Sequence, residues 1–339
     1  MKGYRLVGLF LIVFSYNTRL PAQGIDSLTR LADRATGDSL KLAYCIQVCE
    51  QDISPEITYP YLLQAERLVK GSGDKFMAER VAYYRALYYA RKNETDSALA
   101  IINPMVQKYK KDRNNTGLYL KYLFFRSKLY DRGNQYTRAL QELVGVVEMA
   151  KSLKDTLVQI QAKTGIGWVQ MELEQYREAL RWLLEALHTS NNPDHYKNYG
   201  ALYSNLASSY NSIGMHDSAM YYINIAIEDA RKYNTYTFLA TALSMQAKIF
   251  IDDGQKELAE KPLNEVVEIR KKLEDPYYMA FDMSSLASYY ASTGQPQKGI
   301  RLCKEGIELA KGMGLSSQLL MVYKALAENY KVAGKDKEY

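Results

Sequence analysis

Seven small residues recur at nearly constant spacing along this chain: Ala86, Ser127, Gly167, Ala207, Ala247, Ala287 and Ala327, one step of 41 followed by five of 40. Three residues after each stands Tyr89, Tyr130, Gln170, Tyr210, Phe250, Tyr290 or Tyr330, so that Gln170 alone breaks an aromatic column. Four further on comes Asn93, Asn134, Glu174, Gly214, Gly254, Gly294 or Gly334, and five beyond that Ala98, Ala139, Ala179, Ala219, Ala259 or Gly299. Chemistry that stays in register over such a period is the mark of an array of supersecondary units, each too small to bury its own apolar face.

Each column has a mechanical reading. A small residue lets two helices approach, and an aromatic one turn later fills the space above the contact. Gly or Asn then takes the left-handed conformation that ends a helix. Asp96-Ser97-Ala98 and Asp217-Ser218-Ala219 open the next helix with side-chain oxygens that can cap free amides. The expected unit is a helix-turn-helix hairpin, and the expected fold class is all-α, an α-α superhelix or solenoid with a period of about 40 residues. Lys110, Lys151, Arg231, Lys271 and Lys311 suit the negative end of a helix dipole, which implies a second helix one turn longer than usual. Pro104 and Pro262 fall within second helices and are expected to bend them.

Composition agrees and narrows the field. Thirty Tyr against two Trp and eight Phe place a polar tip on most aromatic packing, as half-buried faces require. The formal charge of +6 includes Lys2, Arg5 and Arg19, without which it falls to +3, too weak to suggest a nucleic acid partner. Cys45, Cys49 and Cys303 are odd in number, and Cys45 and Cys49, four apart on one helix face, lack the further His or Cys that a metal site needs, so they read as small buried hydrophobes. Residues 1–23 run from a basic start through an apolar Leu6 to Phe14 and end in Leu20-Pro21-Ala22-Gln23, the layout of a secretory signal peptide. That run is far short of the roughly 20 residues that span a bilayer. Export to the periplasm or cell surface of a bacterium is therefore expected. A lead-in over 24–37 and an array over 38–339 complete the domain reading, with a degenerate first unit from Asp38 to Lys70 and an incomplete eighth at the end.

In these columns the sequence resembles the tetratricopeptide repeat family from about Asp38 to Tyr339, although the family's proline after the second helix is missing. The exported repeat region of bacterial sensor histidine kinases is similar in its long period behind a signal peptide. The resemblance implies a concave groove lined by the first helix of each unit. By helical phase its residues are Tyr83, Leu87 and Arg91; Phe124, Lys128 and Asp131; Thr164, Trp168 and Met171; Ser204, Asn205, Ser208 and Asn211. Ser244, Lys248 and Ile251 follow, then Ser284, Ser285, Ser288 and Ser292. Hydroxyls and amides there can hydrogen-bond an extended peptide or a sugar, or simply keep a wet face soluble. The version of the fold that clamps acidic chaperone tails needs Lys and Asn at matching places, and only Asn205 comes close.

Catalytic chemistry does not assemble. His188, His195 and His216 form no metal pair, and neither a phosphate loop nor a nucleophile elbow occurs. No cofactor is implied, and the expected partner is a protein or peptide. Three roles compete: the sensing segment of a membrane signalling protein, a free exported adaptor, and a cytoplasmic peptide-responsive regulator, which the signal peptide and the lack of a DNA-binding region before the repeats disfavour. Ala327, Tyr330 and Gly334 begin an eighth unit whose second helix would open at Lys335, which suggests further repeats, a membrane span and a signalling module beyond. The Asp-Ser and Asp-Thr pairs at Asp26, Asp38, Asp96, Asp155 and Asp217 resemble bacterial O-glycosylation acceptors, and helix capping accounts for them equally well.

Overall fold

The computed structural model describes residues 22–51, 55–112, 115–196, 199–273, 276–312 and 316–334. Nearly all of the expected signal peptide, and the start of the eighth second helix, lie outside these residues. Sixteen α-helices and no strand occur among them. One compact unit holds α1 (Ala22–Arg34), α2 (Asp38–Glu50), α3 (Pro55–Ser72), α4 (Lys75–Arg91), α5 (Thr95–Tyr109), α6 (Thr116–Arg132), α7 (Tyr136–Ser152) and α8 (Thr156–Glu172). A second holds α9 (Tyr176–Leu187), α10 (Gly200–Ser212), α11 (His216–Lys232), α12 (Tyr236–Asp252), α13 (Glu260–Lys272), α14 (Pro276–Ser292), α15 (Pro296–Gly312) and α16 (Ser316–Val332). Within each unit every helix packs on the next one in the chain, and from α2 onward the even-numbered helices are the first helices of their repeats. The segment 24–37 is mostly helical, and α1 buries Leu28 and Ala32 as it packs on α2.

The period follows from element lengths. α6, α7 and α8 have 17 residues each, and three-residue turns separate them, so two helices and two turns make the 40-residue step. The turns share one hydrogen-bond pattern. Gln135 donates its N–H to the Tyr130 carbonyl at 2.8 Å, Met215 to Tyr210 at 2.9 Å and Gln295 to Tyr290 at 2.8 Å, each reaching back five residues around a left-handed position. The aromatic column thus supplies the carbonyl that closes these first helices. Glu174, the residue that departs from the Gly/Asn column, adopts the same conformation, with φ 59. Lys154 and Asn234 do likewise after second helices, a column the small-residue spacing does not reveal.

The packing column is buried where it should be. Ala86, Ser127, Ala207 and Ala287 are fully enclosed, and Ser127 satisfies its own hydroxyl on the Phe124 carbonyl at 2.7 Å. In the second unit Ala207, Ile223, Leu243, Ile249 and Val266 form one continuous core. Ala327 of α16 is only half-buried.

Two local expectations are corrected. Asp96 and Asp217 do not cap: the caps of α5 and α11 are Glu94 and Met215 with no side-chain bond, and the two aspartates lie inside the first turn, where they complement the dipole. Side-chain caps instead open first helices, Asp74 on Phe76 and Met77, and Asp155 on Val158. Pro262 is the third residue of α13, after a 3-10 segment over Lys256–Ala259, so its missing N–H is one that a helix start leaves free anyway. Pro104 sits inside α5, which continues from Thr95 to Tyr109.

Candidate functional site

The even-numbered helices carry the residues assigned to the groove. In the first unit, Tyr83 of α4 is buried among Tyr84, Tyr122 and Phe125, with ring centroids 5.3 to 5.7 Å away. Phe124 of α6 is 1% exposed and Thr164 of α8 is enclosed, its hydroxyl returned to the Ile160 carbonyl at 2.8 Å. Those three fill helix contacts. The half-buried layer above them is Leu87, Arg91, Lys128, Asp131, Trp168 and Met171. Arg91 donates to the Gln51 carbonyl at 2.7 Å, Lys128 holds its ammonium 4.5 Å from the Phe124 ring, and the Trp168 indole N–H donates to Asp131 at 3.2 Å. Burial pushes the Asp131 carboxyl up to about 6, with repulsion from Glu172 adding to the rise and the Trp168 hydrogen bond opposing it.

The second unit is built differently. Ser204, Asn205 and Asn211 of α10 are buried, while Ser208 is half-buried. Asn211 donates to Asp252 of α12, and its amide oxygen meets the His216 ring nitrogen at 2.9 Å. Lys248 is exposed and paired with Asp252. Ser244 donates to Asp282 at 3.3 Å, and Ser288 to Glu328 at 2.8 Å. Ser284 and Ser285 return their hydroxyls to the Phe281 carbonyl, and Ser292 returns its own to Tyr289. Ile251 is half-buried. Three polar atoms on α10 are buried with no hydrogen-bond partner: Ser204 Oγ, Asn205 Nδ2 and Ser209 Oγ. An unsatisfied buried group of this kind costs roughly 1 to 3 kcal/mol.

Sequence reasoning missed several groups. Arg80, Lys121 and Gln161 stand three residues before the first member of each groove triplet, so the same phase could have found them. Asp282 and Arg270 form a buried ion pair at 3.0 Å with side chains 5% and 3% exposed, and Arg270 also lies 4.7 Å from the Tyr278 ring. Nothing in the sequence marks that pair, since a basic residue in the last turn of α13 looks like a dipole complement. The thiols of Cys45, Cys49 and Cys303 are buried, which pushes them up to about 11, 12 and 12 and keeps them protonated. Among the described residues no group of three or more His, Cys, Asp or Glu could hold a metal ion, and no helix is long and apolar enough to cross a membrane.

No protein-family model matches the sequence, and none of the curated proteins matches it either. Solved structures do. The chain is similar to the apo form of the quorum sensor NprR from B. thuringiensis, at 17% identity and TM-score 0.65, covering 92% of this chain and 88% of that one. It is similar to a Rap protein complexed with competence and sporulation factor, at 12% identity and TM-score 0.61, covering 93% and 99%. A signal-transduction ATPase with a tetratricopeptide repeat sensor from Pyrococcus horikoshii matches at 14% identity and TM-score 0.59, over 93% of this chain and 52% of that one. Likeness at these identities establishes the fold: the chain is an all-α tetratricopeptide-like array of helix hairpins.

Proposed function

We propose that this chain is a non-catalytic repeat scaffold that binds a peptide or a protein segment along its even-numbered helices. The carrying observation is the set of unpartnered buried atoms on α10, Ser204 Oγ, Asn205 Nδ2 and Ser209 Oγ. An amide donor and two hydroxyls can bond the carbonyls and amides of an extended main chain, whose groups recur with every residue. The likeness to a Rap protein complexed with competence and sporulation factor supports the same reading. Residues 1–23 support export, and we assign the binding event to the periplasm, with the chain as the sensing segment of a membrane signalling protein such as a histidine kinase.

The test is a random-peptide array probed with the mature chain and with a variant carrying alanine at Ser204, Asn205, Ser208 and Asn211. Loss of tenfold or more in affinity at unchanged helicity is the expected result. Full binding by the folded variant overturns the groove. Fusing residues 1–23 to a reporter that is active only outside the cytoplasm tests export separately. Reading the coding sequence past Tyr339 tests the sensor role: a membrane span followed by a kinase module supports it, and a stop codon favours a free exported adaptor.

A further inference from the structure

The turns that join α3 to α4, α5 to α6 and α7 to α8 come together on one edge of the first unit. Contacts place them there. The Lys108 ammonium at the end of α5 pairs with Glu79 near the start of α4, the Tyr109 and Tyr122 rings meet at 5.7 Å between α5 and α6, and Gln159 near the start of α8 donates to the Ala150 carbonyl at 3.5 Å. Five exposed lysines stand in these turns or beside them: Lys75, Lys110, Lys111, Lys151 and Lys154. None of their ammonium groups has an ion pair or a hydrogen bond to a described residue. The carboxylates of the same turns are already engaged. Asp74 accepts from the Phe76 and Met77 N–H groups, Asp155 from the Val158 N–H, and Asp112 from the Asn115 amide at 2.7 Å.

Helix dipoles account for only part of this charge. Lys110 caps the C-terminus of α5 and Lys151 lies in the last turn of α7, where a cation is favoured. Lys75, by contrast, is the first residue of α4, at the positive end of its dipole, and Lys154 takes the left-handed conformation at φ 57, which disfavours a side chain. The second unit treats the column of Lys110 and Lys151 differently. There Arg231 is paired with Glu265 at 2.8 Å and Lys271 with Glu305 at 3.5 Å. The charge is neutralised in that unit and left open in the first.

Apolar side chains share the edge. Phe76 and Leu157 are the second residues of α4 and α8, two periods apart in one column, and they are 61% and 40% exposed. Leu153, in the turn between α7 and α8, is 46% exposed. Unpaired cations interleaved with exposed apolar groups over successive turns match the interfacial layer of a bilayer, where phosphates meet ammonium groups and apolar side chains enter among the headgroups. We propose that this edge of the first unit is a membrane-docking surface for a bilayer that carries anionic headgroups, with Phe76, Leu153 and Leu157 seated in the headgroup layer. It requires neither the groove nor a bound peptide.

The test is flotation of the mature chain with vesicles of phosphatidylglycerol and phosphatidylcholine in equal parts, against vesicles of phosphatidylcholine alone. Binding should be confined to the anionic vesicles and should weaken as salt rises. One variant carries glutamine at Lys75, Lys110, Lys111, Lys151 and Lys154, and a charge-matched control carries it at Lys232, Lys256, Lys261, Lys272 and Lys304, exposed lysines of the second unit. Each basic residue near an anionic surface is worth about a fivefold change in partitioning, so the first variant should lose at least tenfold at unchanged helicity and the control should lose less. A second measurement follows the apolar groups: in Phe76→Trp, fluorescence beyond that of the parent should shift to the blue and be quenched by brominated lipid. Absence of vesicle binding, equal binding to neutral vesicles, or equal loss in the control overturns the proposal. So does binding without a blue shift in Phe76→Trp, and so does tighter binding to polyglutamate than to the anionic vesicles, which would assign the edge to an acidic protein.

Discussion

The two compact units use one repeat to build two different surfaces. Along the first helices of the unit ending at residue 173, cations sit on aromatic faces, Lys121 on Tyr83 and Lys128 on Phe124, and a raised carboxyl sits under an indole. In the unit beginning at residue 174 the corresponding positions hold mostly serines and asparagines, with Lys248 paired to Asp252, and a buried ion pair lies inward at Arg270 and Asp282. The packing columns are alike in both. A solenoid therefore separates two tasks that globular cores mix: the small and aromatic columns hold neighbours together, and the remaining stripe is free to vary. Substitutions that strike a shared column should act alike in both units, and those that strike the variable stripe should not.

The largest divergence is expected from the ion pairs. Arg270 and Asp282 are almost wholly buried, whereas the analogous pair of the first unit, Arg126 and Glu142, keeps 12% and 14% exposure. Arg270→Met strands a buried carboxylate and should cost about 3 to 5 kcal/mol. Arg126→Met, with water nearer to Glu142, should cost about 1 to 3 kcal/mol. Replacing both Arg270 and Asp282 by apolar residues should recover most of the loss. Urea unfolding with Trp168 and Trp182 as separate reporters, one in each unit, measures both; equal losses at the two sites would erase the distinction.

Acid titration sharpens the contrast from the other side. The Asp131 carboxyl is raised to about 6 in the folded chain, against about 3.9 for an ordinary aspartate, so the native state binds this proton more tightly than the unfolded chain does. Its contribution is favourable at low pH and is lost as pH rises through that window. Asp131→Asn should therefore be neutral near pH 4 and stabilising by on the order of 2 kcal/mol above pH 7. In a Trp182→Phe background, Trp168 fluorescence should titrate with a midpoint near 6 in the parent and stay flat in Asp131→Asn. A midpoint near 4 would show that the carboxylate is solvated.

Two glycines test how far the shared columns really agree. A methyl added at Gly299 would lie 2.0 Å from Asn329 Oδ1, and Asn329 cannot swing away, because it is enclosed and donates to the carbonyls of Ala287 and Ala325 at 2.9 and 2.8 Å. Gly299→Ala should cost about 1 to 3 kcal/mol by overpacking, although alanine fills that column in every earlier unit. At Gly165 the nearest atom is a Leu143 methyl at 3.2 Å, which can turn aside. Gly165→Ala should be within about 0.5 kcal/mol of the parent. Thermal melting decides both, and a silent Gly299→Ala would mean that Asn329 has another place to go.

How much of this the sequence discloses depends on whether a feature repeats. Ala207, Tyr210 and Gly214 are legible because the same contact and the same turn are built seven times, so that chemistry averages into columns. Glu174 and Lys154 are not, since the backbone there is fixed by the flanking helices and the side chain carries no signal of its φ. Helical phase placed Lys128, Trp168 and Ser208 on the partly exposed stripe, but it could not tell that Phe124 and Asn205, on the same stripe, are 1% and 2% exposed. Depth depends on how closely the next first helix approaches, a distance that no single-helix pattern encodes. Arg270 failed for a related reason, its partner Asp282 being supplied by the following repeat.

Small effects should also come from the left-handed positions, where the two units use different proportions of glycine. Asn93, Asn134 and Lys154 occupy them in the first unit beside a single glycine, Gly73, at φ 61, 55, 57 and 68, whereas Gly214, Gly254, Gly294 and Gly334 dominate in the second. A side chain in this region costs about 1 to 2 kcal/mol relative to glycine, less whatever an asparagine recovers by local hydrogen bonding. Lys154 has no such local compensation, so Lys154→Gly should stabilise the first unit, by less than about 1 kcal/mol once glycine's extra freedom in the unfolded chain is counted. Gly254→Ala reverses the exchange. Its added methyl would meet nothing within 4 Å, so any loss is conformational alone and should be about 1 kcal/mol. Measured together, the pair isolates backbone strain from packing. If Gly254→Ala melts with the parent, the turn tolerates a side chain freely, and the glycines of the second unit must be explained by something other than φ.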